Sequence, residues 1–316
     1  AGLTNTSGAQ NTVVGYQAWD ASGDQTNSRN TFIGYSSAGG SWNTANASVD
    51  NVAVGSGTML GAMNGAGENT AVGASALAAL TSGDENVVIG FEAGDAITSQ
   101  GAITLIGKSS GSAINDNAAN GTVAIGKSSL GALTSGAGNT AIGYSSMSAQ
   151  TDGEHNTVIG FSAFDAADSG ESNNVVIGSG AAGAMNTATC DNNVIIGKDA
   201  GVGGVATLTA CVAIGAASLT ATGNIGASDS VFIGKDSGGG SWSTAGCDNN
   251  TAVGAGTMAG AMNGAANNVA VGKSALAAIT TGDENVAVGS NAGDGWSTQS
   301  QNTVVGHHAA SNSGAG

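Results

Sequence analysis

Short apolar clusters, each closed by a glycine, recur along this chain between polar and glycine-rich stretches. The core pattern is (Thr/Val)-apolar-(Val/Ile)-Gly, usually preceded by Asn, and it occurs 17 times. The closing glycines are Gly15, Gly34, Gly55, Gly73, Gly90, Gly107, Gly126, Gly143, Gly160, Gly178, Gly197, Gly215, Gly234, Gly254, Gly272, Gly289 and Gly306, 17 to 21 residues apart. With that glycine numbered zero, position −1 is always Val or Ile, −2 always apolar and −3 always Thr or Val. Position −4 is Asn in 13 of the 17 repeats, and +3 is always Ala, Ser or Thr. A β-branched run this short, punctuated by glycine, predicts a strand and not a helix. Repetition at this period predicts an all-β parallel solenoid or β-roll of about 17 coils, each strand pairing with those above and below.

Successive strand side chains face opposite ways. Because −1 and −2 are both always apolar, both faces are expected to be covered. The reading puts −1 in the solenoid interior, stacked rung on rung, and gives the other face to a second wall or a neighbouring chain. The Asn column at −4 predicts a ladder of side-chain amides along the axis. Segments such as Ser22-Gly23-Asp24, Ser82-Gly83-Asp84-Glu85 and Thr281-Gly282-Asp283-Glu284 read as turns. Residues 51–107 are repeated as 250–306, eleven repeats further on, and no linker interrupts the pattern. The whole chain, 1–316, therefore reads as one continuous repeat domain grown by duplication.

Composition narrows the function. Of 316 residues 55 are Gly and none Pro, and Gly has no period of three, so collagen is excluded. No apolar run is long enough for a membrane-spanning helix. Six basic against 22 acidic residues leave a net charge of −16, and Arg29 is the only arginine. Phosphate binding needs a basic stripe, so neither nucleic acid nor an anionic membrane is an expected partner. Cys190, Cys211 and Cys247 lie too far apart in sequence for a disulfide framework or a Cys-x-x-Cys site. No metal-ligand spacing, P-loop or nucleophile elbow is present, and no cofactor or enzyme activity is expected.

The segments Val123-Ala124-Ile125-Gly126-Lys127-Ser128-Ser129 and Val269-Ala270-Val271-Gly272-Lys273-Ser274-Ala275 resemble the head repeats of trimeric autotransporter adhesins. Asn11-Thr12-Val13-Val14-Gly15-Tyr16-Gln17-Ala18 is similar to repeats of bacteriophage tail fibres, and the longer period favours that likeness. The resemblance spans residues 11–309. It implies a homotrimeric rod, extracellular, in a virion tail fibre or on a bacterial surface. It also implies partners among fibre or virion proteins and bacterial surface glycans or proteins, and a C-terminal chaperone that is cut off or lies beyond this segment.

Two sets of residues are candidates for recognition. Position +1 holds Tyr16, Tyr35, Tyr144 and all five lysines, Lys108, Lys127, Lys198, Lys235 and Lys273. Long amphipathic side chains in one column fit a groove between chains, or a stripe facing a ligand. Trp19, Trp42, Trp242 and Trp296 lie in connecting segments, where exposed rings would stack on sugars and buried ones would plug gaps. The acids at +5, Asp20, Asp95, Asp165 and Asp294, are expected to cap turns. The leading expectation is a structural and adhesive fibre segment. The alternatives are a bacterial adhesin head and, from another class, an ice-binding solenoid. The ice reading is disfavoured here because the Thr column at −3 shares the face assigned to the interior.

Overall fold

Each repeat glycine follows a three-residue strand in the computed structural model, which describes residues 8–20, 26–42, 46–203, 207–220, 226–242 and 245–311. The turn at Ser22–Asp24 lies outside the described residues. The chain divides into two units, Ala1–His155 and Asn156–Gly316. The first carries β1 (Thr12–Val14), β2 (Thr31–Ile33), β3 (Val52–Val54), β4 (Thr70–Val72), β5 (Val87–Ile89), β6 (Thr104–Ile106), β7 (Val123–Ile125) and β8 (Thr140–Ile142). The second carries β9 (Thr157–Ile159), β10 (Val175–Ile177), β11 (Val194–Ile196), β12 (Leu208–Thr209), β13 (Val212–Ile214), β14 (Ala227–Ser228), β15 (Val231–Ile233), β16 (Thr251–Val253), β17 (Val269–Val271), β18 (Val286–Val288) and β19 (Thr303–Val305).

Both units are parallel β-solenoids. In the first, β1 to β8 pair in chain order with like positions opposite like, for instance Val123↔Thr140, Ala124↔Ala141 and Ile125↔Ile142. In the second, β9, β10, β11, β13 and β15 to β19 do the same, and β12 and β14 form a separate parallel pair. The described residues contain one helical turn, Asn117–Ala119.

The interior belongs to −2, not to −1. Phe32, Ala53, Ala71, Val88, Leu105, Ala124, Ile195 and Phe232, all at −2, are completely buried. The −1 side chains Ile33, Val72, Ile89, Ile159 and Val271 point outward and are 36–39% exposed. The expected facing is thus inverted, and side-chain volume supplies the reason. Opposite −2 stands +4, and in most coils the two compensate in size: Ala53 with Met59, Ala71 with Leu77 and Ala124 with Leu130, but Leu105 with Gly111, Ile195 with Gly201 and Phe232 with Gly238; Val158 with Phe164, and Ala287 with Gly293 beside Trp296, depart from this. A close-packed interior requires such compensation. The unvarying Val/Ile at −1 has no partner that varies with it, as befits an outward column.

The −4 residues share the inward parity and build the expected ladder. Asn69 Nδ2 donates to Asn51 Oδ1 (3.0 Å) and to the Gly83 carbonyl (2.8 Å), while Asn69 Oδ1 accepts from the Asn86 backbone (3.1 Å) and Asn86 Nδ2 (2.8 Å). The second unit repeats this at Asn250, Asn268 and Asn285. Each amide is fully buried and satisfied on both sides, as polar groups in a core must be. The +3 hydroxyls add bonds between coils, such as Ser110 Oγ to the Ala124 carbonyl (2.9 Å) and Ser129 Oγ to the Ala141 carbonyl (2.9 Å).

The bends rest on left-handed backbone. The repeat glycines have φ between +131° and +152°, and ordinary residues at +2, +4 and −5 take φ near +45° to +61°. Ser128 and Leu130 are typical, at +56° and +50°. Their N–H groups donate to Lys108 and Ser146 carbonyls of the flanking coils (2.9 and 3.1 Å). That pairing offsets a conformational cost of about 1–2 kcal/mol per residue.

Candidate functional site

With −2 and −4 inward, the strands turn −3 and −1 outward, and +1 continues the same parity past the glycine. In the described residues, 14 large apolar side chains are well exposed, and all but Leu60 lie in these three columns. Examples are Val87 at −3, Ile89 at −1 and Phe91 at +1, exposed by 39%, 39% and 46%. Single exposed apolar side chains are ordinary on a protein surface, and a stripe of them is not. The three columns contain no carboxylate in any repeat, although the chain has 22 acids. The −3 threonines and valines are partly exposed along both units, so the expectation that they are interior is also corrected, for the reason given for −1.

Within each unit the +1 candidates are exposed and lie in one column. Tyr16 stacks on Tyr35 with ring centroids 5.8 Å apart and planes 12° apart. Lys108 Nζ sits 5.3 Å from the centre of the Phe91 ring, and Lys127 Nζ 5.3 Å from that of Tyr144. Lys198 pairs with Asp199, and Lys235 with Asp236 at 3.4 Å. Lys273 occupies the same column and is exposed.

The tryptophans are not exposed rings on loops. Trp19, Trp42, Trp242 and Trp296 are 1–6% exposed, so no sugar can stack on them as placed. Trp19, Trp42 and Phe32 form a mutual cluster with centroids 5.5–5.7 Å apart, and Trp242 meets Phe232 at 6.0 Å. Trp296 packs beside Gly293, where an added Cβ would lie 3.0 Å from its ring. They fill coil interiors that Gly and Ala leave open, a role sequence spacing alone did not separate from display. The outward sheet face itself could have been found from the volume matching of −2 with +4.

Turn capping falls mainly to acids two residues before the ladder. Asp84, Asp191, Asp248 and Asp283 at −6 each accept a backbone N–H of the preceding coil, from Gly67, Ser172, Ser228 and Ala266, at 2.7–2.9 Å. Among the +5 acids, Asp95 and Asp294 each hold one buried carboxylate oxygen without a partner. Burial raises the Asp95 carboxyl above its ordinary range. No group of three His, Cys, Asp or Glu side chains able to hold a metal exists among the described residues. No described helix is long and apolar enough to cross a membrane.

All three cysteines are buried thiols outside any disulfide. Burial pushes Cys211 and Cys247 up to about 11 and raises Cys190 as well. At pH 8 none should react with a thiol-specific disulfide reagent until the chain unfolds, when all three should. Unfolded thiols lose their protons near 9.0, and Cys211 and Cys247 in the folded chain only near 11. The native state therefore binds more protons in that window, and stability should fall as pH rises through it. Rapid labelling of the native protein at pH 8 would contradict closed coils at β11 to β16. Compared with protein-family models and with curated proteins, the chain matches none.

Proposed function

We propose that the chain is a structural and adhesive segment of a trimeric extracellular fibre, of the tail-fibre or receptor-binding shaft type, contacting a bacterial surface. The observation that carries this reading is the outward face: an apolar, carboxylate-free stripe repeated on coil after coil. Each unit supplies its own core through −2, +3 and +4, so the stripe is not needed for the coil to close. Burying its −3 and −1 columns against copies of the same chain, with the +1 column left in solvent, would remove apolar surface from water at every rung. It would also give the parallel stiffness that a spacer between particle and receptor needs.

One observation favours a second reading. The −3 and −1 columns form a regular outward lattice of Thr, Val and Ile without charges, an arrangement that an ice-binding solenoid requires. Light scattering separates the two. A mass of three 29.8 kDa chains that falls to one in Ile89→Asp/Val271→Asp, without loss of β-structure, supports the fibre. A monomeric wild type showing thermal hysteresis overturns it in favour of ice binding.

A further inference from the structure

We infer that the +1 side chains Phe91, Lys108, Lys127 and Tyr144 form a binding site for an acidic polysaccharide. This inference rests on the adhesive reading above and assigns it a ligand class. The four follow β5, β6, β7 and β8 on consecutive coils of one unit, so at ~4.8 Å per rung the column extends about 14 Å. Its order is aromatic, lysine, lysine, aromatic, and each ammonium leans over its outer neighbour's ring at 5.3 Å.

Three features set this column apart from structural decoration. First, the coil does not need large side chains at +1, since Ser56, Ala74 and Ser179 occupy that position elsewhere. Eleven repeats further on, Ser290 and His307 stand where Phe91 and Lys108 stand here. Second, among the described residues Lys108 and Lys127 have no carboxylate within ion-pairing distance, whereas Lys198 and Lys235 each pair with the following aspartate. The residues after Lys108 and Lys127 are Ser109 and Ser128. Two adjacent ammoniums left unneutralised on a chain of net charge −16 are available for an external anion. Third, the residue beside Phe91 on its other side is Ala74, too small to cover the ring, and Phe91 is 46% exposed.

Sparse carboxylates on a chain of sugar rings match that combination. The paired lysines take the charged groups, and the Phe91 face takes the C–H face of a ring. Nucleic acid fits poorly, because its dense phosphates would be repelled by the rest of the protein.

The test is calorimetric titration of the full chain with hyaluronan, which carries a carboxylate on every second ring, and with neutral dextran. Lys108→Gln/Lys127→Gln, Phe91→Ala and the control Lys198→Gln/Lys235→Gln are titrated alongside. We expect hyaluronan and not dextran to bind. The first double variant should bind at least about tenfold more weakly and Phe91→Ala several-fold more weakly, with the control within about twofold of wild type. No binding by wild type, equal binding of dextran, or equal weakening in both double variants would overturn the assignment. Mass by light scattering on the same samples reports assembly separately, so a monomer that still binds would refute the trimer and leave this site standing.

Discussion

Gly126→Ala should destabilise the protein by more than about 4 kcal/mol, in the range reserved for failures of backbone or core. Gly126 has φ +137°, a region that side-chain-bearing residues do not tolerate. A Cβ there would stand 2.2 Å from the Gly143 carbonyl oxygen and 2.6 Å from its carbon. Both contacts are backbone, so no rotamer change relieves them. Gly143 occupies the same position one coil on, and its amide donates to the Ile125 carbonyl at 2.8 Å, so shifting it breaks the pairing of β7 with β8. Gly121→Ala is the matched control: φ is +73° and nothing lies within 4 Å of the added atom, so the cost should be about 1–2 kcal/mol. Denaturant melts of the two variants measure the difference. Equal losses would mean that glycines do not pack on glycines between coils. Because stability in a solenoid is mostly between neighbours, amide exchange in Gly126→Ala should rise first in β6 to β8.

That glycine column was legible in the sequence, and so were the period, the short strands, the Asn ladder and the close approach of backbones. Each is a demand on residue type at one position, repeated often enough to stand out. The facing of the strand was not. Constancy at −1 looks like a core signal, but a core whose cross-section is shared between two side chains shows itself through variation: Phe232 needs Gly238, and Ala124 needs Leu130. The left-handed conformation of Ser128, Leu130 and Glu85 was hidden for another reason. Residues of many kinds adopt it here because neighbouring coils take up their N–H groups, so no Gly or Asn preference advertises it. The tryptophans failed as display candidates because sequence position cannot say whether a connecting segment folds over its ring. At Trp42 it does, and the indole Nε1 donates to the Ala38 carbonyl at 3.1 Å. The +1 column was visible as a chemical pattern, but the sandwich of Lys108 and Lys127 between two rings needed the coil register.

The volume rule makes the last prediction, a pair of substitutions each harmful alone and compatible together. Leu105 is fully buried at −2, and a Cβ on Gly111, its +4 partner, would lie 2.7 Å from Leu105 Cδ2 and 2.9 Å from Ile114 Cδ1. Leu105→Ala should leave a cavity and cost about 2–5 kcal/mol. Gly111→Leu should overpack the coil and cost about 1–3 kcal/mol. The double variant reproduces the neighbouring coil, where Ala124 and Leu130 pack with Leu133 in the place of Ile114. Leu130 already holds φ +50°, close to the +57° of Gly111, so the new leucine meets a backbone that leucine adopts in this fold. The two changes should therefore couple favourably by about 2–3 kcal/mol in a double-mutant cycle. Additive losses would show that −2 and +4 do not share one space, and the outward assignment of −1, with the interaction face built on it, would fall with them.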